Sequence, residues 1–368
     1  MATTSPTART GSALPGWARN LVLTLLILYI ILLVGPIAGL DAPRIWQSIV
    51  AEPKTLVQVA LVGLANGSII AIIALGYTLV YGIIELINFA HADVYMLGAF
   101  MALSVLGALG VNQQSSSGQV IGGLLIALVV AVLFGAVLNA AIERLAYRRL
   151  RNAPRLAPLI SAIGVSFILQ NLGLFWGGLR IIFPVMGVNA AAPKTFPQLL
   201  PEGIMFQDGP IVFRQKDLIV ILASVVFMIA LRLFIQYTRL GKAMRATAQN
   251  RDAAKIMGIN VDTVIAFTFL LGGGLAGLGG LLVGLYNGTI VFNMGLTAGL
   301  RAFTAAVLGG IGNITGAMLG GFLIGLLAAF SDVYFSSRWT NAWVFAILVV
   351  ILIFRPLGLL GEAGGEKA

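Results

Sequence analysis

Long apolar segments recur along the chain, and their length restricts what the chain can fold into. A helix needs about 20 apolar residues to cross the hydrocarbon core of a bilayer. The apolar runs cover residues 20–40, 56–74, 78–110, 119–142, 158–178, 217–236, 262–285, 299–330 and 341–357. Only 10% of the 368 residues are charged, against roughly 25% in soluble domains. The sequence therefore predicts an all-α polytopic membrane protein.

Charge placement predicts the orientation of these segments. The basic loops 143–158 and 232–262 are expected in the cytoplasm, because Lys and Arg concentrate in cytoplasmic loops. The uncharged loop 112–118 is expected on the other side. Counting crossings from a cytoplasmic N-terminus leaves 299–330 with no net crossing, so the GGIGNITG at its centre is predicted to divide it into two short helices. We expect a bundle of about 8–10 transmembrane helices with broken or re-entrant segments.

The same pattern divides the chain into four regions. Residues 1–19, rich in Ser, Thr, Pro and Gly, are predicted to form a cytoplasmic N-terminal tail. Residues 20–40 are expected to form an extra N-terminal transmembrane helix. The main transmembrane domain is predicted over 56–357, followed by a C-terminal tail at 358–368.

Residue content argues against several function classes. The chain has no cysteine and one histidine, which excludes a disulfide framework and a metal site rich in Cys or His. Gly241-Lys242 is followed by alanine where a phosphate-binding loop needs Ser or Thr. We therefore expect no ATP site, no cofactor and no enzymatic activity in this chain. The net charge of +10 fits cytoplasmic loops beside membrane lipid, and no nucleic-acid partner is predicted.

The stretch INFAHADVYMLGAF places polar and ionisable groups inside an apolar run. A charge near the bilayer centre costs at least about 2.5–3.5 kcal/mol, so such groups are candidates for a transport path. The alternative is a structural role at an interface or a helix end. The candidates for the path are Glu85, Asn88, His91, Asp93 and Tyr95.

Helical periodicity indicates how these side chains are arranged. If 85–102 is one helix, Asn88, His91 and Tyr95 share a face and Asp93 points almost opposite to His91. His91 and Asp93 are therefore expected to meet partners from different segments.

Glycine is frequent, at 45 residues, and two of its patterns matter. Gly273-xxx-Gly277 and Gly280-xxx-Gly284 predict close helix packing in preference to substrate contact. In GGIGNITG, glycines interrupt an apolar segment and expose backbone groups, which must line a cavity or meet protein. These residues are either a kink or part of the path, where helix N-termini or Asn313 meet a substrate carboxylate. The candidates in this stretch are Gly309, Gly310, Gly312 and Asn313.

The stretch RATAQNRDAAKIMGIN, residues 245–260, alternates basic with apolar residues and is predicted to form a short amphipathic cytoplasmic helix. Such a helix docks into the groove of a partner protein or lies on anionic lipid.

Four stretches resemble the branched-chain amino acid ABC transporter permeases, the inner-membrane subunits of hydrophobic amino acid uptake systems. The longest is LGYTLVYGIIELINFAHADVYMLGAF, in which Ala92 stands where the family usually has glycine. The others are ISAIGVSFILQN, RATAQNRDAAKIMGIN and FTAAVLGGIGNITGAMLGGFLIGL. Together the resemblance covers about 56–357.

The resemblance implies an importer subunit in the bacterial inner membrane that forms half of a path for branched-chain or hydrophobic amino acids. It implies a second related permease chain in a heterodimer, two cytoplasmic ATPase subunits that use ATP and magnesium, and a periplasmic substrate-binding protein. It also assigns 245–260 to ATPase coupling. The coupling candidates are Arg245, Ala248, Asn250, Arg251, Ala253, Ala254, Met257 and Gly258.

Three other functions stay open at this point. An ion-coupled secondary transporter would use His91, Asp93 and Glu85 as a relay. A membrane-embedded enzyme would use His91 with Asp93. Within the family, urea or short amides are an alternative substrate class, and the sequence does not separate leucine-like from glutamine-like or acidic amino acids.

Overall fold

The structure is a computed structural model that describes residues 42–361 except 87, 152, 155, 184–186, 188 and 356. The regions predicted at 1–19 and 20–40 lie outside the described residues, as does most of 358–368. In the described part, β-structure is limited to short strands. These are β1 Lys194–Thr195, β2 Ile204–Asp208, β3 Ile211–Arg214 and β4 Thr289–Ile290, with β1 antiparallel to β4 and β2 antiparallel to β3.

Helices make up most of the described chain. In chain order they are α1 Ala42–Ala51, α2 Pro53–Ile84, α3 His91–Ala108, α4 Ser117–Ile142, α5 Leu156–Gly177, α6 Gln215–Tyr237, α7 Arg239–Gln249, α8 Arg251–Ile256, α9 Val261–Asn287, α10 Met294–Gly309, α11 Ile314–Ser331 and α12 Thr340–Phe354. A π-helical turn, Glu143–Tyr147, extends α4, and a second, Asp332–Ser336, follows α11. Each π turn leads into a short 3₁₀ turn, Arg148–Leu150 or Ser337–Trp339.

Seven helical stretches of the described residues are long and apolar enough to cross a membrane, and α10 is a shorter apolar helix. The prediction of an all-α polytopic membrane protein is confirmed. Helices α2, α3 and α9 are mostly buried and form the centre of the bundle, whereas α4, α5 and α6 leave most of their apolar surface exposed. An apolar helix surface of that kind suits lipid or another membrane chain.

Contacts between loops define two faces of the bundle. On one face Lys54 forms an ion pair with Asp208 at 2.7 Å, and the Phe196 amide donates to Gly288. The opposite face carries the far end of α2, the helices α7 and α8, and the end of α10. Basic residues gather on this second face, and from the positive-inside rule we infer that it is the cytoplasmic face. Those residues are Arg148, Arg149, Arg151, Arg239, Lys242, Arg245, Arg251 and Lys255.

Lys194 is a buried charge at the outer face. Its side chain is enclosed and its Nζ donates to the Asn189 carbonyl at 2.6 Å. Burial lowers the pKa of the Lys194 ammonium. The lysine therefore fastens the loop before β1 to the small sheet that β1 forms with β4.

The glycine spacing in α9 serves helix packing, as predicted. A Cβ on Gly277 would overlap the Ala131 carbonyl of α4, and one on Gly280 would lie 2.6 Å from the Ala99 amide of α3. Glycine at these positions lets three backbones touch, which is how membrane helices gain van der Waals contact.

The predicted boundary between the second and third apolar runs was wrong. A single helix, α2, continues through 75–77 and ends at Ile84, and α3 begins at His91, so 85–102 is not one helix. Glu85 ends α2 with φ of 55°, the left-handed conformation that terminates helices. Asn88 thus lies before α3, in the connection between the helices, and not on a face shared with His91.

The predicted division of 299–330 is confirmed. Helix α10 ends at Gly309 and α11 begins at Ile314, although α10 starts earlier than predicted, at Met294. Gly310 and Gly312 have φ of 104° and 89°, which glycine adopts readily because it has no Cβ.

Candidate translocation site and coupling surface

His91 opens α3 inside the bundle. Its side chain is fully buried, and its ring meets the Tyr77 ring edge-on with the centroids 4.9 Å apart. A Cβ on Gly76 would lie 2.5 Å from His91 Cε1, so the imidazole fills the space that this glycine leaves. Neither ring nitrogen has a hydrogen-bond partner among the described residues.

The position of His91 shows how deep α3 begins. Gly76 precedes the end of α2 by eight residues, or about 12 Å of helix at about 1.5 Å per residue. The connection between α2 and α3 therefore turns back into the apolar part of the bundle before α3 starts. Non-helical backbone at this depth is tolerated where it is buried in protein, and here buried polar side chains surround it.

Asn88 supplies much of that polar surrounding. Its Nδ2 donates to Asn139 Oδ1 at 3.2 Å, and its Oδ1 accepts from the Tyr147 hydroxyl at 3.1 Å. Asn139 Nδ2 in turn donates to the Phe269 carbonyl at 2.7 Å. This chain of buried hydrogen bonds ties the connection to α4, its π turn and α9. Each bond contributes about 0.5–1.5 kcal/mol, but a buried amide left unsatisfied costs about 1–3 kcal/mol.

Asp93 is buried two residues after His91 and has different neighbours, as the helical geometry predicted. Its Oδ2 accepts a hydrogen bond from the Ser166 hydroxyl of α5, and Gln170 donates to Ser166 at 3.2 Å. Its Oδ1 faces the start of α10, because a Cβ on Gly295 would lie 2.7 Å from that atom. The carboxyl group thus joins α3, α5 and α10.

Two helix N-termini meet at Asp93. The residue lies in the first turn of its own helix, and Gly295 is the second residue of α10. A helix N-terminus carries a partial positive charge and stabilises a nearby anion by up to about 2 kcal/mol in partly buried geometries. Two such ends and a charged hydrogen bond of about 1.5–3 kcal/mol together offset the insertion cost of about 2.5–3.5 kcal/mol. These groups account for a buried carboxyl that has no Lys or Arg partner among the described residues.

The remaining candidates of the INFAHADVY stretch lie in different surroundings. Tyr95 is buried, and a Cβ on Gly279 would lie 3.3 Å from its ring. Glu85 is exposed and lines a cytoplasmic cleft. The structure therefore groups Asn88, His91, Asp93 and Tyr95 in the interior and leaves Glu85 apart from them.

The glycine-rich candidates lie near the cytoplasmic face. A Cβ on Gly82, near the end of α2, would be 3.1 Å from Gly312 Cα. Asn313 Oδ1 caps α11 by accepting from the Gly316 amide, and Asn313 Nδ2 donates to the Leu360 carbonyl, each at 2.9 Å. Both polar ends of the Asn313 side chain thus hold the break in place.

Two cytoplasmic clefts flank the end of α2. One, of about 720 Å³, lies between α2, α6, α7 and the start of α11 and includes Arg232 and Arg245. The other, of about 810 Å³, includes Glu85, Arg151 and Arg251. Ala248 lines both clefts, so the α7 helix separates them.

The prediction of one amphipathic helix at 245–260 was wrong, because the region is divided between two helices. The region contains α7 and α8, which meet at Asn250 in extended backbone with φ of −156°. Asn250 ends α7 and starts α8, because its Oδ1 accepts from the amides of Asp252 and Ala253 at 3.0 and 2.9 Å. Asparagine is a preferred N-cap for this reason.

The coupling candidates divide into inward and outward residues. Arg251 donates to the Ile83 carbonyl at 2.9 Å, and Ala254 is buried. Ala253, Met257 and Gly258 are exposed, with Ile256 and Met257 85% and 80% exposed. Arg245 is also exposed and donates to the Gln236 carbonyl at 3.2 Å. The end of α8 therefore presents apolar side chains on a basic face of the protein.

Charged residues beside α8 join two long helices. Arg148, in the 3₁₀ turn after α4, bonds to Asp262 at 2.7 Å, and Arg151 reaches both Asp262 and the buried Glu143. The cytoplasmic ends of α4 and α9 are thereby connected next to the second cleft.

Sequence reasoning missed residues that contact the candidates. Ser166, Asn139, Tyr147, Gly76 and Gly295 all touch the interior group. Polar residues in apolar helices were a usable signal for Ser166 and Asn139, since buried polar groups need partners. Nothing in the sequence distinguishes Gly76 or Gly295 from the other glycines.

Comparisons with known proteins show which sequences and structures this chain is similar to. The sequence model described as "Branched-chain amino acid transport system / permease component" matches residues 59–354. The chain is 39% identical over 311 residues to the high-affinity branched-chain amino acid transport system permease protein BraD of Pseudomonas aeruginosa, covering 83% of this chain and 95% of BraD. It is 40% identical over 307 residues to the corresponding LivH of Escherichia coli K12, with the same coverage. A solved structure, PsaBC from Streptococcus pneumoniae in complex with Fab, aligns over 83% of this chain and 95% of that chain with a TM-score of 0.40 and 11% identity.

Proposed function

This chain belongs to the family of permease components of branched-chain amino acid transport systems, and from that membership we propose its role in more detail. It forms half of the translocation path of an ATP-binding-cassette importer for branched-chain or other hydrophobic amino acids. The observation that carries the proposal is the α7–α8 surface, which is apolar at its exposed tip and tied to the transmembrane bundle at its base.

That surface suits the transmission of force from an ATPase. Ile256 and Met257 offer apolar contact to a groove on a partner protein, the usual mode by which a short helix docks. Arg251 links the same segment to the last turn of α2. About two turns earlier, α2 carries Gly76 and Tyr77 beside His91. A movement of α8 would thus reach the interior group through one helix.

The proposed partners follow from the family. They are a second related permease chain in a heterodimer, two cytoplasmic ATPase subunits that hydrolyse ATP with magnesium, and a periplasmic substrate-binding protein. The proposed location is the bacterial inner membrane. This chain has no phosphate-binding loop, so we propose that all ATP is hydrolysed by the partner subunits.

The path itself is proposed to pass the interior group. Asn88, His91, Asp93 and Tyr95 are each at most 2% exposed, so the described conformation is closed around them. Substrate can reach them only if helices separate. Loose polar contacts there would let an amino acid enter and leave, as conduction requires.

Uptake of labelled leucine into proteoliposomes tests the proposal. The vesicles contain this chain, its partner permease and the ATPases, with ATP inside and the binding protein outside. We expect uptake that needs both ATP and the binding protein, with no ion gradient imposed. Uptake that ignores ATP and appears only with a proton or sodium gradient would replace the proposal with an ion-coupled transporter in which His91 and Asp93 form the relay.

The coupling assignment makes a separate prediction about Ala254. Its amide donates to the Asn250 carbonyl at 3.0 Å, so Ala254→Pro removes that bond and disfavours α8 by about 3 kcal/mol. We expect leucine uptake to fall by roughly ten-fold or more while ATP hydrolysis continues, since a helix penalty of this size exceeds the 1.4 kcal/mol of a ten-fold change. Both rates are measured in the same vesicles.

Ala254→Ser is the matched control, because it keeps the amide donor and nearly the same volume. Its uptake should stay close to that of the unaltered protein. Full uptake with Ala254→Pro would show that α8 is not the coupling element, and loss of the protein from the membrane would show a folding role instead.

A further inference from the structure

Helices α3 and α10 begin at the same place inside the bundle, and both point their N-termini at Asp93. His91 and Asp93 occupy the first turn of α3, and Gly295 occupies the first turn of α10. A Cβ on Gly295 would lie 2.7 Å from both Asp93 Oδ1 and the Ala92 carbonyl. The start of α10 therefore rests directly on the start of α3, with no side chain between them.

The contact continues one turn along α10. A Cβ on Gly299 would overlap Ala92 Cβ and lie 3.1 Å from the Tyr77 hydroxyl. The missing side chain of Gly299 provides the room for the Ala92 methyl group. Gly295 and Gly299 together make a flat surface on α10 that fits against α3.

Asp93 is the one charge at this junction in the described part of the chain. Its Oδ2 is held by Ser166, whereas Oδ1 has no hydrogen-bond partner among the described residues and faces Gly295. Electrostatic attraction to the helix ends therefore remains the main force between Asp93 and α10. This attraction acts over distance and needs no fixed hydrogen bond, so it suits a contact that opens and closes.

The far end of α10 lies at the cytoplasmic face beside the coupling region. There α10 ends at Gly309, and Gly312 and Asn313 line the cleft that Arg245 and Ala248 also line. One end of α10 thus contacts Asp93 and the other reaches the region proposed to receive force. A displacement of the cytoplasmic end would move the whole helix away from α3.

We propose that Asp93 is the positioning residue that closes the path by holding the N-terminus of α10 against α3, and that α10 leaves Asp93 when substrate passes. This inference rests on the proposed importer function. We call this contact between α3 and α10 the gate. In this proposal the charge of Asp93 holds α10 in place, and Asp93 carries no proton.

Cysteine labelling of the complete importer in proteoliposomes tests the gate, because the native chain has no cysteine. Ala302→Cys places a reporter on α10 at a fully buried position, and Ala127→Cys places a second in α4, also fully buried. A small maleimide is added without ATP. We expect Asp93→Asn, which keeps the shape and loses the charge, to raise the labelling rate at position 302 by roughly ten-fold, the equivalent of 1.4 kcal/mol, and to leave position 127 unchanged.

Three further variants separate the effect of charge from that of packing. Ser166→Ala removes the hydrogen bond and keeps the charge, so labelling at 302 should stay near its starting rate. Gly299→Ala pushes α10 off Ala92 and should raise labelling at 302 as Asp93→Asn does. Adding Ala92→Gly to Gly299→Ala removes the overlap and should restore protection.

The outcomes decide between a gate and a structural role. Faster labelling at 302 alone supports the gate. Faster labelling at both reporters would mean that Asp93→Asn unfolds the protein. Unchanged labelling at both would mean that the charge of Asp93 does not hold α10 against α3. Either result overturns the proposal. Labelling needs no transport, so a failure of leucine uptake would count against the importer function without affecting this test.

Discussion

Replacing Gly135 with leucine should prevent the central bundle from assembling, whereas the same change at Gly122 on the same helix should leave it intact. A Cβ on Gly135 would overlap the Gly273 carbonyl of α9 and lie 3.1 Å from the Gly277 amide. Both obstacles are backbone atoms, so no side chain can rotate away. At Gly122 nothing lies within 4 Å of the added atom.

The stability lost in Gly135→Leu should exceed the usual cost of an overfilled core, about 1–3 kcal/mol, because the axes of α4 and α9 must separate. The yield of monodisperse protein after detergent extraction and its thermal unfolding midpoint measure the effect. Gly122→Leu adds the same apolar side chain to the same helix and controls for membrane insertion. Equal behaviour of the two variants would contradict the close contact between α4 and α9.

Gly76→Ala should displace the His91 ring, and His91→Ala in the same chain should reverse most of the damage. The added methyl group would overlap the imidazole, which Tyr77 also confines. We expect Gly76→Ala to destabilise the protein by about 1–3 kcal/mol through overpacking. Removing the imidazole makes room for the methyl group, so the double variant should unfold at a higher temperature than Gly76→Ala alone. If the two changes simply add, the ring does not occupy the space beside Gly76.

A different variant, His91→Gln, tests whether His91 carries protons. A relay that must ionise would lose all uptake in His91→Gln, whereas a residue that fills space beside the path should only slow it. The ring has no carboxylate within hydrogen-bond reach in the described structure, and Asp93 bonds to Ser166 instead. Uptake of leucine by His91→Gln, compared with the unaltered importer at equal protein density, separates the two roles.

Much of the architecture was predictable because it depends on properties that the sequence carries locally. Apolar runs of spanning length predicted the helices, since a bilayer leaves few other structures possible. The four glycines in GGIGNITG predicted the end of α10, since positive φ at Gly310 and Gly312 favours glycine. Small residues four apart predicted the packing of α9.

The connection between α2 and α3 was not predictable in the same way. Its sequence remains apolar across the break, and the residue that ends α2 is Glu85, which rarely adopts positive φ. Asn88 becomes stable there only because Asn139 and Tyr147, more than 50 positions away, bond to it. Partners of this kind are set by tertiary structure, which also explains why Ser166 and Gly295 were missed beside Asp93.

The prediction of one continuous helix at 245–260 was wrong for a local reason. Asn250 is tolerated inside a helix but is better at a cap, and here its side chain bonds to two amides of the next turn. Helical periodicity alone does not reveal that choice. The amphipathic character was predicted correctly, while the division into α7 and α8 depends on the side chain of one residue.

The hydrogen bonds at the end of α10 determine when the chain can finish folding during its synthesis. The amides of Leu359 and Leu360 donate to the carbonyls of Leu308 and Gly309, which belong to the last turn of α10. Those carbonyls have no partner within their own helix. A ribosome makes residue 309 about fifty residues before it makes the donors. Until then, the last carbonyls of α10 lack these hydrogen bonds. Truncating the chain before Leu359 would remove both donors permanently. A protein fused directly after residue 358 would replace Leu359 and Leu360 with its own first residues.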